Sequence, residues 1–349
     1  MKNLIKHLPV LIFSLLGIIS FSSCEKNLVD QRVACQEEIL DLDEARLAAE
    51  YLEKRGDPVN CMTSCLVDAK EVYANIDRNF YIIDLRSKND YRAGHIKDAV
   101  NIPMRKLYYH FQEKLEAFKY DKIVLCCYSG QSATYAASLL RMLGYNNVHA
   151  MKYGMASWNS QLSSRWISKK NPTTNLDMSP IVPKKEAQIF NLPTIKTGKV
   201  WREDIVAARV QDLLRREFKL ASIKSTALAT RTNTYIISYG DENFKKGAQI
   251  TGANYFEKNV SLKNSGQLHN IPIKQEIIVY SENGFESAYA VAYLRLLGYN
   301  AKTISYGINT FKKQSSNSNK FSVNDVHNYP LEKAASGQIL VVEEDAGGC

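Results

Sequence analysis

Ile123-Val124-Leu125-Cys126-Cys127-Tyr128-Ser129-Gly130-Gln131-Ser132 is the stretch on which the reading of this chain turns. Its apolar start has the pattern of a strand buried on both faces. The run gives way to a short polar loop around Gly130. Behind the loop, Ala133 to Leu143 has helical spacing and closes on Gly144, a residue suited to a left-handed helix end. Upstream, Tyr81-Ile82-Ile83-Asp84-Leu85-Arg86 is a second apolar run whose C-terminal end turns charged. Strands alternating with helices predict an α/β fold, a central parallel sheet with helices on both faces.

The pattern returns at a shift of 154 residues without a gap. Tyr81-Ile82-Ile83 meets Tyr235-Ile236-Ile237, and Gly130 meets Gly284. Leu143-Gly144-Tyr145-Asn146 meets Leu297-Gly298-Tyr299-Asn300. About a quarter of the positions are identical, which predicts two tandem copies of one domain. Between them, Ser168 to Gly198 carries four prolines and many small polar residues, a linker composition. The expected organisation is a leader over 1–23, a tether with one helix over 24–62 and a first domain over 63–166. A linker over 167–199, a second domain over 200–320 and a tail over 321–349 follow.

The chemistry is expected in the first copy. A cysteine that ends a strand ahead of a glycine loop and a helix meets converging backbone N–H groups and the positive end of the helix. Both favour the thiolate, the nucleophilic form. Cys126 falls on the strand and reads as a buried core thiol. Cys127 begins the loop and reads as the nucleophile.

Cys127-Tyr128-Ser129-Gly130-Gln131-Ser132-Ala133 resembles the active-site loop of the rhodanese (sulfurtransferase) family. Ile83-Asp84-Leu85-Arg86, then Gly94-His95-Ile96-Lys97-Asp98-Ala99 and Asn101-Ile102-Pro103, resembles that family's second signature, with Asp98 in place of a glycine. The resemblance covers roughly residues 63–165. It implies a Rossmann-like fold and a sulfurtransferase in which Cys127 accepts a sulfane sulfur as a persulfide and hands it to a nucleophile. Tyr128, Ser129, Gly130, Gln131, Ser132 and Ala133 would form the substrate-binding loop, with Asp84 and Arg86 in support. Asp84, Arg86 and His95 are expected to act mainly as scaffold. No cofactor and no metal are implied.

The second copy reads as degenerate. Cys127 becomes Ser281, Asp84 becomes Ser238, Arg86 becomes Gly240 and His95 becomes Gln249. A hydroxyl cannot form a persulfide, and Glu282 and Glu286 oppose an anion in that loop. This copy is expected to pack against the first and shape its cleft.

The first loop's own side chains are neutral. That predicts weak saturation by the dianion thiosulfate and better use of persulfide or polysulfide donors, unless Arg86 or the second domain supplies a cation. The acceptor is expected to be a thiol or another nucleophile. The rival readings are a non-enzymatic envelope binding module and a Cys-dependent phosphatase. The phosphatase reading needs a longer loop closing on an arginine, which this stretch lacks.

Lys2, Lys6 and His7 precede the apolar run Leu8 to Phe21, and Phe21-Ser22-Ser23-Cys24 follows. The run is too short for a spanning helix and fits a signal-peptide core. The small residues before Cys24 resemble a bacterial lipobox. Lipidation at Cys24 is therefore expected, giving a membrane-anchored lipoprotein of the bacterial cell envelope, periplasmic or surface-facing. The formal charge of +9 is spread along the 349 residues without an aromatic-interleaved basic stripe, which argues against nucleic acid. Cys35, Cys61, Cys65 and Cys349 are left open. A local disulfide among the first three and a mobile terminal thiol are the candidate roles.

Overall fold

The computed structural model describes residues 42–60, 64–170, 174–180, 188–311 and 321–333. Helix α1, Glu44–Lys54, begins at Asp43, whose carboxylate accepts from Arg46 N. The first domain then runs β1 Leu66–Val67, α2 Ala69–Ala74, β2 Phe80–Asp84, α3 Lys88–Ala93, β3 Val100–Asn101, β4 Lys122–Cys126, α4 Gln131–Met142 and β5 Val148–Met151. Its sheet is wholly parallel in the order β1-β5-β4-β2-β3.

Side-chain alternation along these strands fills two core layers. Ile83, Ile123 and Leu125 face α4 and the helical turns around Met104, Leu107 and Phe111. Ile82, Val124 and Cys126 face the opposite way, against Val72, Tyr91, Met155 and Trp158. The sheet is thus covered on both faces, as its continuous apolar strands require.

The second domain runs α5 Arg202–Arg216, β6 Ser222–Ile223, β7 Thr234–Gly240, β8 Asn254–Glu257, β9 Glu276–Tyr280, α6 Phe285–Leu296 and β10 Ala301–Ile304. Its parallel sheet has the order β8-β7-β9-β10-β6, the same topology as the first. The 154-residue shift carries β4 onto β9 and α4 onto α6 without adjustment. The duplication read from the sequence is a duplication of fold.

The domains join through α4 and α6, whose buried faces belong to one continuous core. Ser138 Oγ donates to the Tyr289 carbonyl at 3.0 Å across this contact. Helix α1, expected as part of a tether, packs against α5 of the second domain. Its Glu44 carboxylate accepts from the backbone amides of Thr197 and Gly198. Residues 321–333, read from the sequence as part of a tail, instead run across the first domain. Glu332 bridges His95 in both directions at 2.9 Å, and Trp158 Nε1 donates to the Pro330 carbonyl at 2.9 Å. Apolar and aromatic contacts hold this strap: Tyr329 stacks on Tyr73 with ring centroids 4.1 Å apart.

Among the described residues no helix is long and apolar enough to cross a membrane. The Leu8–Phe21 run, Cys24, Cys35, Cys61 and Cys349 lie outside the described residues.

Candidate active site

Strand β4 ends at Cys126, and the loop that follows places Cys127 at the C-terminal edge of the sheet, ahead of the N-terminus of α4. The two cysteines fall on opposite faces. Cys126 is fully buried in the layer against Val124 and Met151. Burial, reinforced by the Asp84 carboxylate, pushes its thiol well above the ordinary value, so it stays protonated. The Cys127 sulfur accepts from the Gly130 amide at 3.1 Å. Cys127 is buried as well, and this one backbone donor reaches it at the positive end of a 12-residue helix, a position that favours an anion.

The rest of the loop is tied down through both backbone and side chains. The Cys127 carbonyl accepts from Met155 N at 2.8 Å, and the Ser129 carbonyl accepts from Trp166 Nε1 at 3.1 Å. The Tyr128 hydroxyl accepts from Ser87 N at 3.2 Å and donates to the Asp90 carboxylate. Hydrogen bonds from Ser87 and Tyr128 hold Asp90 below the usual carboxylate range. Gln131 Oε1 accepts from Tyr306 N of the second domain at 2.9 Å. Ser132 and Ala133 open α4 and are buried.

Gly130 has φ +90°, and a Cβ there would lie 2.9 Å from Phe285 Cε1 and 2.9 Å from Tyr153 N. Only glycine fits, for conformation and for space. The Phe285 ring that fills this space comes from the second domain's equivalent loop. It joins Tyr153, Trp166 and Phe321 in an aromatic cluster.

Asp84, Arg86 and His95 form a support below this edge. Arg86 Nη2 donates to Asp84 Oδ2 at 2.7 Å and to the Gly94 carbonyl at 2.6 Å, and Arg86 Nε donates to the same carboxylate. Burial opposes the Arg86 charge, but the Asp84 carboxylate outweighs it and raises the guanidinium's pKa. Asn101 Nδ2 ties the carbonyls of Asp84 and Arg86. His95 stacks on Tyr91 at 3.9 Å, and its Nδ1 meets the Tyr91 carbonyl at 2.9 Å. The structure brings these three together around the Gly94 turn. Arg86, at 1% exposure, directs its hydrogen bonds to Asp84 and Gly94 and is not the cation that the neutral loop lacks.

Residues 68–161 match the rhodanese-like domain. The chain is 32% identical over 85 residues to thiosulfate sulfurtransferase GlpE of Pseudoalteromonas translucida, covering 24% of this chain and 77% of that protein. The chain belongs to the rhodanese family. It is also 27% identical over 106 residues to a tRNA uridine(34) hydroxylase of Buchnera aphidicola, covering 29% of this chain and a third (33%) of that protein. Among solved structures, thiosulfate sulfurtransferase from Pseudomonas aeruginosa aligns over 77% of this chain and 67% of its own, at 15% identity and a TM-score of 0.24. The 3-mercaptopyruvate sulfurtransferase SseA from Escherichia coli covers 70% and 98%, at 16% identity and a TM-score of 0.25.

The second rhodanese-like copy keeps the scaffold and replaces its polar contents. Ser281 Oγ donates to Ser287 Oγ at 3.1 Å and accepts from Ser287 N at 3.2 Å. Where the first domain buries the Asp84–Arg86 ion pair, the second has a neutral network. Ser238 Oγ and the Tyr280 hydroxyl both donate to Gln249 Oε1, at 2.7 and 2.8 Å.

Sequence reading missed Tyr153-Gly154. Both residues have positive φ, and a Cβ on Gly154 would sit 2.3 Å from the Cys127 carbonyl oxygen. The turn therefore presses directly on the loop. The signal was present: Tyr153-Gly154 recurs as Tyr306-Gly307 at a shift of 153, one residue off the frame used upstream. Sequence reading also missed the cations around the loop. Arg165 lies over the Tyr128 ring at 3.8 Å, and Lys169 lies over the Tyr306 ring at 5.0 Å.

Proposed function

We propose that this protein is a sulfurtransferase that carries a sulfane sulfur on Cys127. A sulfurtransferase-type function is supported by the rhodanese-like domain and by sulfurtransferases among the relatives. One observation carries the assignment to Cys127: its sulfur accepts the Gly130 N–H at 3.1 Å at the N-cap of α4, within a loop held through the Cys127 and Ser129 carbonyls and the Tyr128 and Gln131 side chains.

The reaction runs in two displacements. The Cys127 thiolate attacks the outer sulfur of a thiosulfate, persulfide or polysulfide. The donor's S–S bond breaks, and sulfite or a thiolate leaves with the electron pair. The new Cys127 persulfide is an anion held by the loop amides. A nucleophilic acceptor then attacks its outer sulfur and restores the Cys127 thiolate. Fixed N–H donors need no reorganisation as charge moves between the two sulfurs. Gln131 and Tyr128 hold the loop's shape, and the Asp84–Arg86 pair holds the strand end beneath it.

Membrane attachment through a lipidated Cys24, in a bacterial envelope, is part of the same proposal. It rests on the Leu8–Phe21 run and Ser22-Ser23-Cys24. Fractionation of wild type and Cys24→Ala tests it: the wild type should sediment with membranes and the variant should be released or remain unprocessed. The sulfur assignment is tested by comparing Cys127→Ser with Cys126→Ser in a sulfur-transfer assay. Activity should vanish in the first and largely persist in the second.

A further inference from the structure

The duplication produces two equivalent clefts. One is walled by Ser129, Gln131 and Ser132 of the Cys127 loop, with Ser222 and Lys224 opposite. The other is walled by Asn283, Phe285 and Glu286 of the Ser281 loop, with Leu66 and Asp68 opposite. The walls correspond position by position. The 154-residue shift carries Ser129, Gln131 and Ser132 onto Asn283, Phe285 and Glu286. A shift of 156 carries Leu66 and Asp68 onto Ser222 and Lys224, and a shift of 153 carries Lys152-Tyr153 onto Ser305-Tyr306. The volumes are nearly the same, about 510 and 500 Å³.

Their charges are opposite. Among the described residues, the cleft on the cysteine loop has Arg165, Lys169, Lys219 and Lys224 in its walls and no carboxylate. The cleft on the serine loop has Asp68, Glu282, Glu286 and Asp325, with Lys152 the one cation against them among the described residues. Inheritance of a common shape explains the matched volumes but not this division of charge. Of the two, the cleft walled by the cysteine-bearing loop is the one built for an anion.

Gln131 adds a second feature. It is 2% exposed and lines the cationic cleft. The Tyr306 amide can only donate, so the oxygen of the Gln131 amide faces it at 2.9 Å and Nε2 is turned away. Among the described residues, Nε2 has no hydrogen-bond partner. A buried donor left unmet is costly, and an acceptor atom on a bound ligand would satisfy it.

The size of the cleft selects the class of ligand. A volume of about 510 Å³ falls within the range of sites for small organic molecules, roughly 300–1,000 Å³, and an inorganic dianion would leave most of it empty. We propose that the cleft docks the acceptor, and that the acceptor is a small organic thiol carrying at least two negative charges, as carboxylates or a phosphate. Lys219 and Lys224 of the non-catalytic domain, with Arg165 and Lys169, hold the anionic groups, and Gln131 Nε2 donates to an acceptor atom. The second rhodanese-like copy is then a specificity element. The inference rests on the sulfur-transfer reading of Cys127. In the step it serves, the acceptor thiolate attacks the outer sulfur of the Cys127 persulfide and forms a new S–S bond. The S–S bond on Cys127 breaks, its thiolate leaves with the electron pair, and the acceptor departs as a persulfide.

Two matched pairs of thiols test this: pantetheine against phosphopantetheine, and thioglycerol against mercaptosuccinate. The discharge rate of preloaded Cys127 persulfide is measured for each at two ionic strengths. At least one anionic thiol should exceed its neutral counterpart by about tenfold or more, the worth of one charge-assisted hydrogen bond, and the advantage should shrink with salt. Which pair shows it separates phosphate from carboxylate recognition. The ratio should collapse in the Lys219→Gln, Lys224→Gln double variant. A ratio near one in the wild type, or one unchanged in the double variant, overturns the proposal. Calorimetric titration of mercaptosuccinate and of phosphopantetheine, without sulfur donor, gives a readout independent of sulfur transfer. If Cys127 never loads, the sulfur reading fails. Binding of either thiol by the wild type that is lost in the double variant would still uphold an anionic-ligand cleft, and no binding would overturn it.

Discussion

Gly154 stands against the carbonyl of Cys127 so closely that a Cβ would lie 2.3 Å from that oxygen. The neighbouring Met155 amide donates to the same oxygen at 2.8 Å. The turn after β5 therefore fixes the first peptide of the Cys127 loop. Gly154→Ala forces a side chain into a φ of +59° and into backbone. The expected result is about 1–3 kcal/mol of lost stability and at least about a tenfold slower loading of Cys127. Thermal unfolding and the loading rate by mass spectrometry check it. Unchanged loading would show that the turn does not set the loop.

Cys126 gives a pH dependence with a defined sign. Its folded pKa lies above the ordinary thiol value of 9.0, because burial and Asp84 oppose the thiolate. Above that value the unfolded chain has lost a proton that the folded chain keeps. The contribution of Cys126 is therefore fully present below pH 9 and declines as pH rises, by up to about 1.4 kcal/mol per pH unit. Urea titrations at pH 7.5, 9 and 10 should show a shallower alkaline decline in Cys126→Ala than in the wild type. Equal slopes would contradict a buried thiol at this position.

The Asp84–Arg86 pair is sealed, with side chains 0% and 1% exposed. Removing one partner leaves a buried charge. Arg86→Met should cost about 3–5 kcal/mol, and Asp84→Asn added to it should recover part of that loss. Denaturant midpoints of the two variants decide this. A loss below about 1 kcal/mol for Arg86→Met would show that the pair does not support the strand end.

The sheet and its repeat were legible because they rest on local pattern. Continuous apolar strands ending in Cys126 and Asp84 announce a sheet covered on both faces, and an ungapped 154-residue frame announces its copy. The opposite facing of Cys126 and Cys127 follows from strand alternation alone. The rest depended on long-range contact. The strap over 321–333 is held by Tyr329, Leu331 and backbone bridges, which leave no periodic signature in a segment of mixed polar and apolar residues. Lys219 and Lys224 are ordinary surface lysines in sequence and acquire meaning only where the second domain meets the first loop. Helix α1 reads as amphipathic, but its partner α5 lies some 150 residues downstream.

The strap yields a stability prediction. Phe321 is buried, Leu331 packs on Gly94, and Trp158 Nε1 is satisfied by Pro330. A chain ended after residue 320 should lose at least about 3 kcal/mol through re-exposed apolar surface and should unfold at lower temperature. An unchanged unfolding temperature would mean the strap adds nothing to the first domain.

The most direct test of the account is the intact mass of the protein after exposure to polysulfide or thiosulfate, followed by desalting. An adduct of one sulfur atom is expected, localised to Cys127 by peptide mapping, absent in Cys127→Ser, retained in Cys126→Ser, and removed by added thiol. No adduct in the wild type, or an adduct that persists in Cys127→Ser, would contradict the assignment of Cys127 as the sulfur carrier.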